Sequence, residues 1–372
     1  MAFSFRKAGQ PGTLTRLLSC SEEAWAELPE PDKALSDDIP THRCPSYSHH
    51  PRTADFYPGI NKPVAVADWL AHTDVADEDY ILLIDADMIM RRPVLPQELG
   101  AAPGTAVSGF FGYMRGVDNE LALRHVPEVE PRMDDVAGPV GRRGDQVGGF
   151  TLMQAGDMRR VAPWWIKYSE DVRADPLAWN LTGDVYAHED EPPWIAEMYG
   201  YSFGAAKTDV WHIADRTFQL YPGYEVGPEH VQSPPKVLHY GILWNVTRGA
   251  VPEDFQFDKH WFEQFDALSC PPWQLSQDPH RSTQGLFPHP PPPSQLNRSS
   301  GYAYLRDLLS IEVLATLNAA FCERYRRVCP ASEQLEVECG KAEALARELD
   351  EAFASFVPPD ACLLYVCDSL SN

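Results

Sequence analysis

As far as about residue 268 the apolar residues come in short runs broken by glycine and proline, and beyond about residue 300 they recur at helical spacing. The first pattern predicts strands and helices in alternation, an α/β sheet. In "PVAVADWLAHT" (63–73) the spacing predicts a helix. Pro63 suits a first helical position, because the N–H it lacks would find no partner there. That helix feeds "YILLI" (80–84), which reads as a strand buried on both faces, as in parallel sheets. Further on, Leu305, Leu309, Val313, Leu317 and Phe321 form one helical stripe, and Leu345, Leu349 and Phe353 a second. Between these regions, "CPPWQLSQDPHRSTQGLFPHPPPPSQLNRSS" is rich in Pro, Ser and Gln and ill suited to packing a core. The expected organisation is an α/β domain over 1–268, a Pro-rich linker over 269–300 and a cysteine-containing helical appendage over 301–372.

The strand ends on Asp85-Ala86-Asp87. Residues i and i+2 of a strand face the same way, so the two carboxylates are expected to share one space at its carboxyl end. That is where open α/β sheets bind ligands. Like charges so placed repel unless a proton or a cation separates them, and a divalent metal with oxygen ligands leaves positions open for phosphate. The bland alternative is a loop whose aspartates cap a helix or meet water. "KVLHYG" (236–241) places His239 after a second apolar run, and imidazole is a common third ligand for Mn²⁺ or a similar ion. Lys62 in "INKP", and Arg6, Lys7 and Gln10 in "FRKAGQPG", are candidates to meet a diphosphate. Gly148 and Gly149 in "DQVGGF" either let the backbone approach a ligand or make a turn.

Charge narrows the classes. With 31 basic against 54 acidic residues the net charge is −23, which repels phosphate backbones and argues against nucleic-acid binding. No apolar stretch approaches the roughly 18 to 20 residues that span a membrane. The eight cysteines show no CxxC spacing, and three N-x-S/T sequons stand at Asn180, Asn245 and Asn297. Together they point to an oxidising lumen. "MAFSFRKAGQPG" has no signal-peptide h-region, so the expectation is a truncated chain of a lumenal protein. Cys322 and Cys329 lie seven apart, about 10 Å along a helix, too far to bond each other, so each needs another partner.

The stretches "SFRKAGQPGTLTRLLSC", "PSYSHHPRTADFYPGINKPVAVADWL", "DYILLIDADMIMRRP", "WIAEMYGYSFGAA" and "VLHYGILWNV" resemble, in order, the peptidyl serine α-galactosyltransferase family of plants and green algae. That family is related to the hydroxyproline O-arabinosyltransferases. The resemblance implies a GT-A-like nucleotide-sugar fold, UDP-galactose as donor, Mn²⁺ as metal and transfer with retention. It implies hydroxyproline-rich (extensin-type) acceptors with Ser-Pro repeats, in the endoplasmic reticulum or Golgi. Asp85 and Asp87 match the family's D-x-D, which holds metal and diphosphate, and His239 matches its third ligand. Lys62 sits where related folds contact the donor, and Lys259, ending "FDK", matches a diphosphate clamp. Asp184 in "LTGDVY" is placed to accept hydrogen bonds from galactose hydroxyls, and Glu197 in "AEMYGYSF" to orient the serine hydroxyl. The bland readings of these acids are a helix cap and a salt bridge. Only Met1 to Ser4 precede the "FRKAGQPG" equivalent, so the GT-A-like sheet is expected to lack its first strand.

A polyproline II acceptor needs an aromatic groove, for which Phe110, Phe111, Tyr113, Trp164, Trp165, Trp194, Tyr199 and Tyr201 are candidates, at least half of them expected in the core. Pro290 to Pro293 with Ser294 mimic such an acceptor. The alternatives are a hydroxyproline O-arabinosyltransferase and a non-catalytic module binding glycan or proline-rich peptide.

Overall fold

A computed structural model describes residues 1–34, 38–53, 55–247, 254–271 and 284–359. Cys362 and Cys367 and the middle of the Pro-rich stretch lie outside the described residues. Eleven strands run through the described residues: β1 Arg16–Ser19, β2 Thr41–Cys44, β3 Tyr80–Leu83, β4 Met88–Met90, β5 Thr105–Phe110, β6 Val147–Gln154, β7 Trp211–Asp215, β8 Gln219–Leu220, β9 Val237–His239, β10 Trp244–Val246 and β11 Phe255–Phe257. Six α-helices reach seven residues or more: α1 Ala2–Ala8, α2 Asn61–His72, α3 Ala155–Ala174, α4 Ala196–Lys207, α5 Tyr302–Val328 and α6 Glu333–Ala354. The architecture is mixed α/β with several small sheets and a helical C-terminal region.

The chain forms two compact units, and it crosses between them more than once. One unit takes Gly12–Asp85 and Val94–Arg216, and the other takes Met1–Pro11, Ala86–Pro93 and the described residues from Thr217 onwards. These bounds differ from the division expected from composition. The reason lies in the C-terminal stripes. Leu305, Leu309, Val313, Leu345 and Leu349 are buried in one cluster with Ile89, Leu220, Leu238 and Trp244, so the helices complete the core of β4, β8 and β9.

In the unit built on Gly12–Asp85, β1 and β2 are parallel, and a separate sheet runs β3-β6-β5-β7. Its β3 and β5 lie antiparallel to β6, and β7 lies parallel to β5. The expectation of a strand buried on both faces in a parallel sheet is therefore wrong for Tyr80–Leu83. It is a half-buried edge strand with an antiparallel neighbour. Its run is continuously apolar because Ile81 and Leu83 pack on the core while the Tyr80 hydroxyl donates to the Ala101 carbonyl at 3.0 Å. Such a pattern does not distinguish a central from a partly covered edge strand. The helix expected over 63–73 spans Asn61–His72, with Pro63 at its third position.

In the other unit the sheet runs β4-β9-β8, and β10 pairs antiparallel with β11. Met90 N–H donates to Ser4 Oγ at 3.1 Å, which ties α1 to β4. Cys322 bonds Cys339 and Cys329 bonds Cys270, so both cysteines find other partners, as the helical spacing requires. Part of the Pro-rich stretch packs after all. Pro290, Pro291 and Pro293 are buried, and Ser294 N–H donates to Glu348 Oε1 at 2.7 Å. Prolines are apolar and already restricted in φ, so ordering them costs little entropy. The segment therefore lies on α6.

Candidate functional site

The aspartates expected at a strand end stand in the turn between β3 and β4, and each has its own cations. The boundary between the two units falls between Asp85 and Ala86.

Asp87 is fixed through its backbone by β4 and β9. Met88 pairs with His239, and Tyr240 N–H donates to the Asp87 carbonyl at 3.0 Å. Lys259 Nζ donates to Asp87 Oδ2 at 2.6 Å, and His239 Nε2 lies 3.1 Å from Oδ1. Burial raises the carboxyl's pKa, but the hydrogen bonds and charges of His239 and then Lys259 prevail and hold it well below the usual carboxylate range. The Gln219 amide lies 3.2 Å from Nδ1 of His239, and Tyr221 packs against the imidazole ring.

This group fits a cation. A Cβ at Gly241 would stand 3.0 Å from His239 Nε2 and 3.2 Å from Asp87 Oδ2, so the glycine keeps the space beside both donor atoms open. Gln219 Oε1 is buried and has no hydrogen-bond partner among the described residues, a lack that a ligand atom would satisfy. A carboxylate with an imidazole suits Mn²⁺ and similar ions. The two orientations of the Gln219 amide also select the two tautomers of His239. With its N–H₂ toward Nδ1 the proton sits on Nε2 and meets Asp87; with its oxygen there, Nδ1 carries the proton and Nε2 is left for a metal. Replacing Gln219 by Leu should therefore weaken Mn²⁺ affinity by about tenfold or more, whereas Gln219→Glu, which still accepts from Nδ1–H, should preserve it. Calorimetric titration checks both, and equal loss in the two variants would remove Gln219 from the site.

Asp85 belongs to a second ion-pair group. Lys62, in the first turn of α2, places Nζ 2.7 Å from Asp85 Oδ1 and 3.8 Å from Glu197 Oε1. Glu197 opens α4 and its N–H donates to the Tyr57 hydroxyl at 2.9 Å, while that hydroxyl donates to the Trp194 carbonyl at 2.5 Å. Burial pushes the Glu197 carboxyl's pKa up; Lys62 opposes this and Asp85 adds to it. The result is an acid held near a lysine, able to keep a proton to higher pH than an exposed glutamate.

The remaining candidates are placed otherwise. Asp184 accepts from the backbone N–H groups of Tyr186, Trp194 and Ile195, at 3.0, 2.7 and 3.3 Å, so its carboxylate holds the loop that leads into α4. Arg6 pairs with Glu323 on α5, Lys7 is exposed, and the Gln10 amide donates to the Pro11 carbonyl at 3.2 Å. Gly148 lies in β6 opposite the irregularity at Ser108/Gly109, where a Cβ would meet Phe111 and Met198 at 2.6 Å. Gly149 has φ +78°, which favours glycine. Both glycines shape the strand. Of the aromatics, Trp165, Tyr199 and Tyr201 are buried, Phe110, Phe111 and Trp164 half-buried, and only Tyr113 and Trp194 exposed. Sequence reasoning missed Gln219, Tyr221, Gly241 and Tyr57. "HYG" was the available signal, since a glycine two residues after a ligand histidine suggests close approach.

Residues 4–214 match the family described as the hydroxyproline O-arabinosyltransferase family N-terminal domain. The chain is 46% identical to a peptidyl serine alpha-galactosyltransferase of Chlamydomonas reinhardtii, over 95% of this chain and 48% of that protein. It is 40% identical to one of Arabidopsis thaliana, over 88% of this chain and 36% of that protein. It is 28% identical to hydroxyproline O-arabinosyltransferase 1 of Arabidopsis thaliana, over 62% of this chain and 57% of that protein. The chain thus spans about half or less of the two galactosyltransferases it matches.

Proposed function

Because this chain belongs to the hydroxyproline O-arabinosyltransferase family, we propose that it carries the catalytic region of a glycosyltransferase that moves galactose from UDP-galactose to serine in hydroxyproline-rich proteins with Ser-Pro repeats. Galactose is preferred to arabinose because the galactosyltransferases share 46% and 40% identity over most of this chain, against 28% over a smaller part for the arabinosyltransferase. In this reading the fold is a GT-A-like nucleotide-sugar sheet, the working compartment is the lumen of the endoplasmic reticulum or Golgi, and transfer retains the anomeric configuration. Two disulfides accord with that compartment, and no described helix is long and apolar enough to cross a membrane.

The observation that carries the proposal is the setting of Asp87 against His239 and Lys259, with Gly241 keeping the adjacent space open. Asp87 and His239 would hold Mn²⁺. When bound, the metal supplies Lewis-acid neutralisation of the charge that builds on the departing UDP. Each aspartate is also neutralised by a lysine, Lys62 or Lys259. Those ammonium groups would be the residues that meet diphosphate oxygens. Glu197, its pKa raised by burial, orients the acceptor hydroxyl, and Asp184 positions it by fixing the start of α4. Same-face attack of the serine hydroxyl, with the leaving phosphate accepting its proton, accounts for retention.

The test is a competition between UDP-galactose and UDP-arabinofuranose, with Ser-(Hyp)₄ and Hyp-only peptides as acceptors. Galactose on serine is expected. Arabinose on hydroxyproline would assign the chain to the other branch of its family, and peptide binding without UDP release would make it a non-catalytic module.

A further inference from the structure

A second group of metal-binding side chains lies on β2 and α2, apart from the Asp87 group. His42 and Cys44 alternate along β2 and so share one of its faces, while Asp68 and His72 are four apart on α2 and share a side of that helix. His42 Nε2 lies 2.7 Å from Asp68 Oδ2. Ligand atoms of His42, Cys44 and Asp68 all lie within 4.8 Å of one another. The His72 ring centroid is 5.7 Å from that of His42, and His72 Nδ1 donates to the Asp68 carbonyl at 2.7 Å, which leaves Nε2 as the nitrogen that can meet a cation. We propose that His42, Cys44 and Asp68, completed by His72, form a site for a zinc-like divalent cation that ties α2 to the parallel β1–β2 pair.

The donor chemistry selects the ion. One thiolate, one carboxylate oxygen and two imidazole nitrogens suit four-coordinate Zn²⁺, whereas Mn²⁺, Mg²⁺ and Ca²⁺ favour sets richer in oxygen. The group therefore complements the Asp87 site instead of duplicating it. The cysteine argues the same way. Cys44 is buried and outside any disulfide. Cys20, the other described cysteine outside a disulfide, bonds the Arg43 side chain; Arg43 alternates with His42 and Cys44, which puts that contact on the opposite face of β2. Cys44 Sγ lies with the ligand atoms of His42 and Asp68. Its thiol donates weakly to the His42 carbonyl at 3.6 Å and the Ala65 carbonyl at 3.8 Å, and it also meets the backbone of Leu18. The site has a structural consequence, because α2 also carries Lys62 in its first turn. A cation at Asp68 would anchor the helix that presents Lys62 to Asp85.

The test uses the whole chain carrying Asp87→Asn, which weakens the first site, titrated with Co²⁺ and then Zn²⁺. One Co²⁺ per chain is expected, with the near-ultraviolet charge-transfer band of a cobalt–thiolate bond, and Zn²⁺ should bleach that band by displacement. Cys44→Ser should abolish the band and His42→Gln should weaken Zn²⁺ binding by about tenfold or more. Cys20→Ser should leave both unchanged. Absence of the band in the otherwise intact chain overturns the site and leaves a His42–Asp68 ion pair, and this measurement requires no variant of β2 to fold. A band lost in Cys20→Ser but kept in Cys44→Ser would equally overturn it.

Discussion

Replacing Asp87 by Asn should lower the rate of the proposed galactose transfer by about a thousandfold, leaving the fold intact. Asn preserves size and one oxygen, so it still accepts from Lys259 in place of the 2.6 Å ion pair. It lacks the negative charge that holds both the lysine and a divalent cation. Lewis-acid stabilisation of a departing phosphate amounts to several kcal/mol, and about 4 kcal/mol corresponds to about a thousandfold in rate. The loss should appear in kcat as well as in donor affinity, because the charge being neutralised is largest in the transition state. Steady-state UDP release with and without added Mn²⁺ measures it, with circular dichroism as the check on folding. A variant that keeps a tenth of the turnover and the same Mn²⁺ dependence would exclude Asp87 from the metal site. Lys62→Met should be milder, since it removes a charge from Asp85 without removing a ligand.

Replacing Gly200 by Ala should destabilise the fold by on the order of 3 kcal/mol, the upper end of ordinary overpacking. A Cβ there would stand 2.1 Å from Ser169 Oγ and 2.6 Å from both Ser169 N and the Trp165 carbonyl oxygen. Two of those atoms are helix backbone and cannot swing aside. Gly204, one turn on, would meet Trp165 N at 2.9 Å, so α4 rests on α3 through two glycines on one face. Gly340 is the control. It lies within α6 with nothing within 4 Å of its would-be Cβ, so Gly340→Ala should stabilise by roughly 0.5–1 kcal/mol. Urea denaturation of the three proteins gives the comparison, and a Gly200→Ala midpoint equal to that of the parent would refute the close packing. Glu197 opens the same helix, so a displaced α4 should cost transfer activity even where the chain still folds.

Several features were legible in the chain itself because they depend on local pattern. Apolar spacing marks α2 to within two residues and places the buried stripes of α5 and α6. The seven-residue separation of Cys322 and Cys329 excludes their bonding on helical rise alone. Asp85, Asp87, His239, Lys62 and Lys259 stand out by residue type and by family resemblance. What only the tertiary structure decides is which of them meet. A run of four apolar residues has the same pattern in a central and in an edge strand, so the antiparallel partner of β3 was beyond reading. The bond between Lys259 and Asp87 joins residues 172 positions apart, and no local pattern encodes such a pairing. Asp184 and Glu197 were both expected near the sugar and acceptor, yet three backbone N–H groups take up Asp184 while Glu197 faces Lys62. Side-chain chemistry is set by sequence, but the charge a carboxylate can offer a ligand is set by its neighbours, and only the folded chain supplies those.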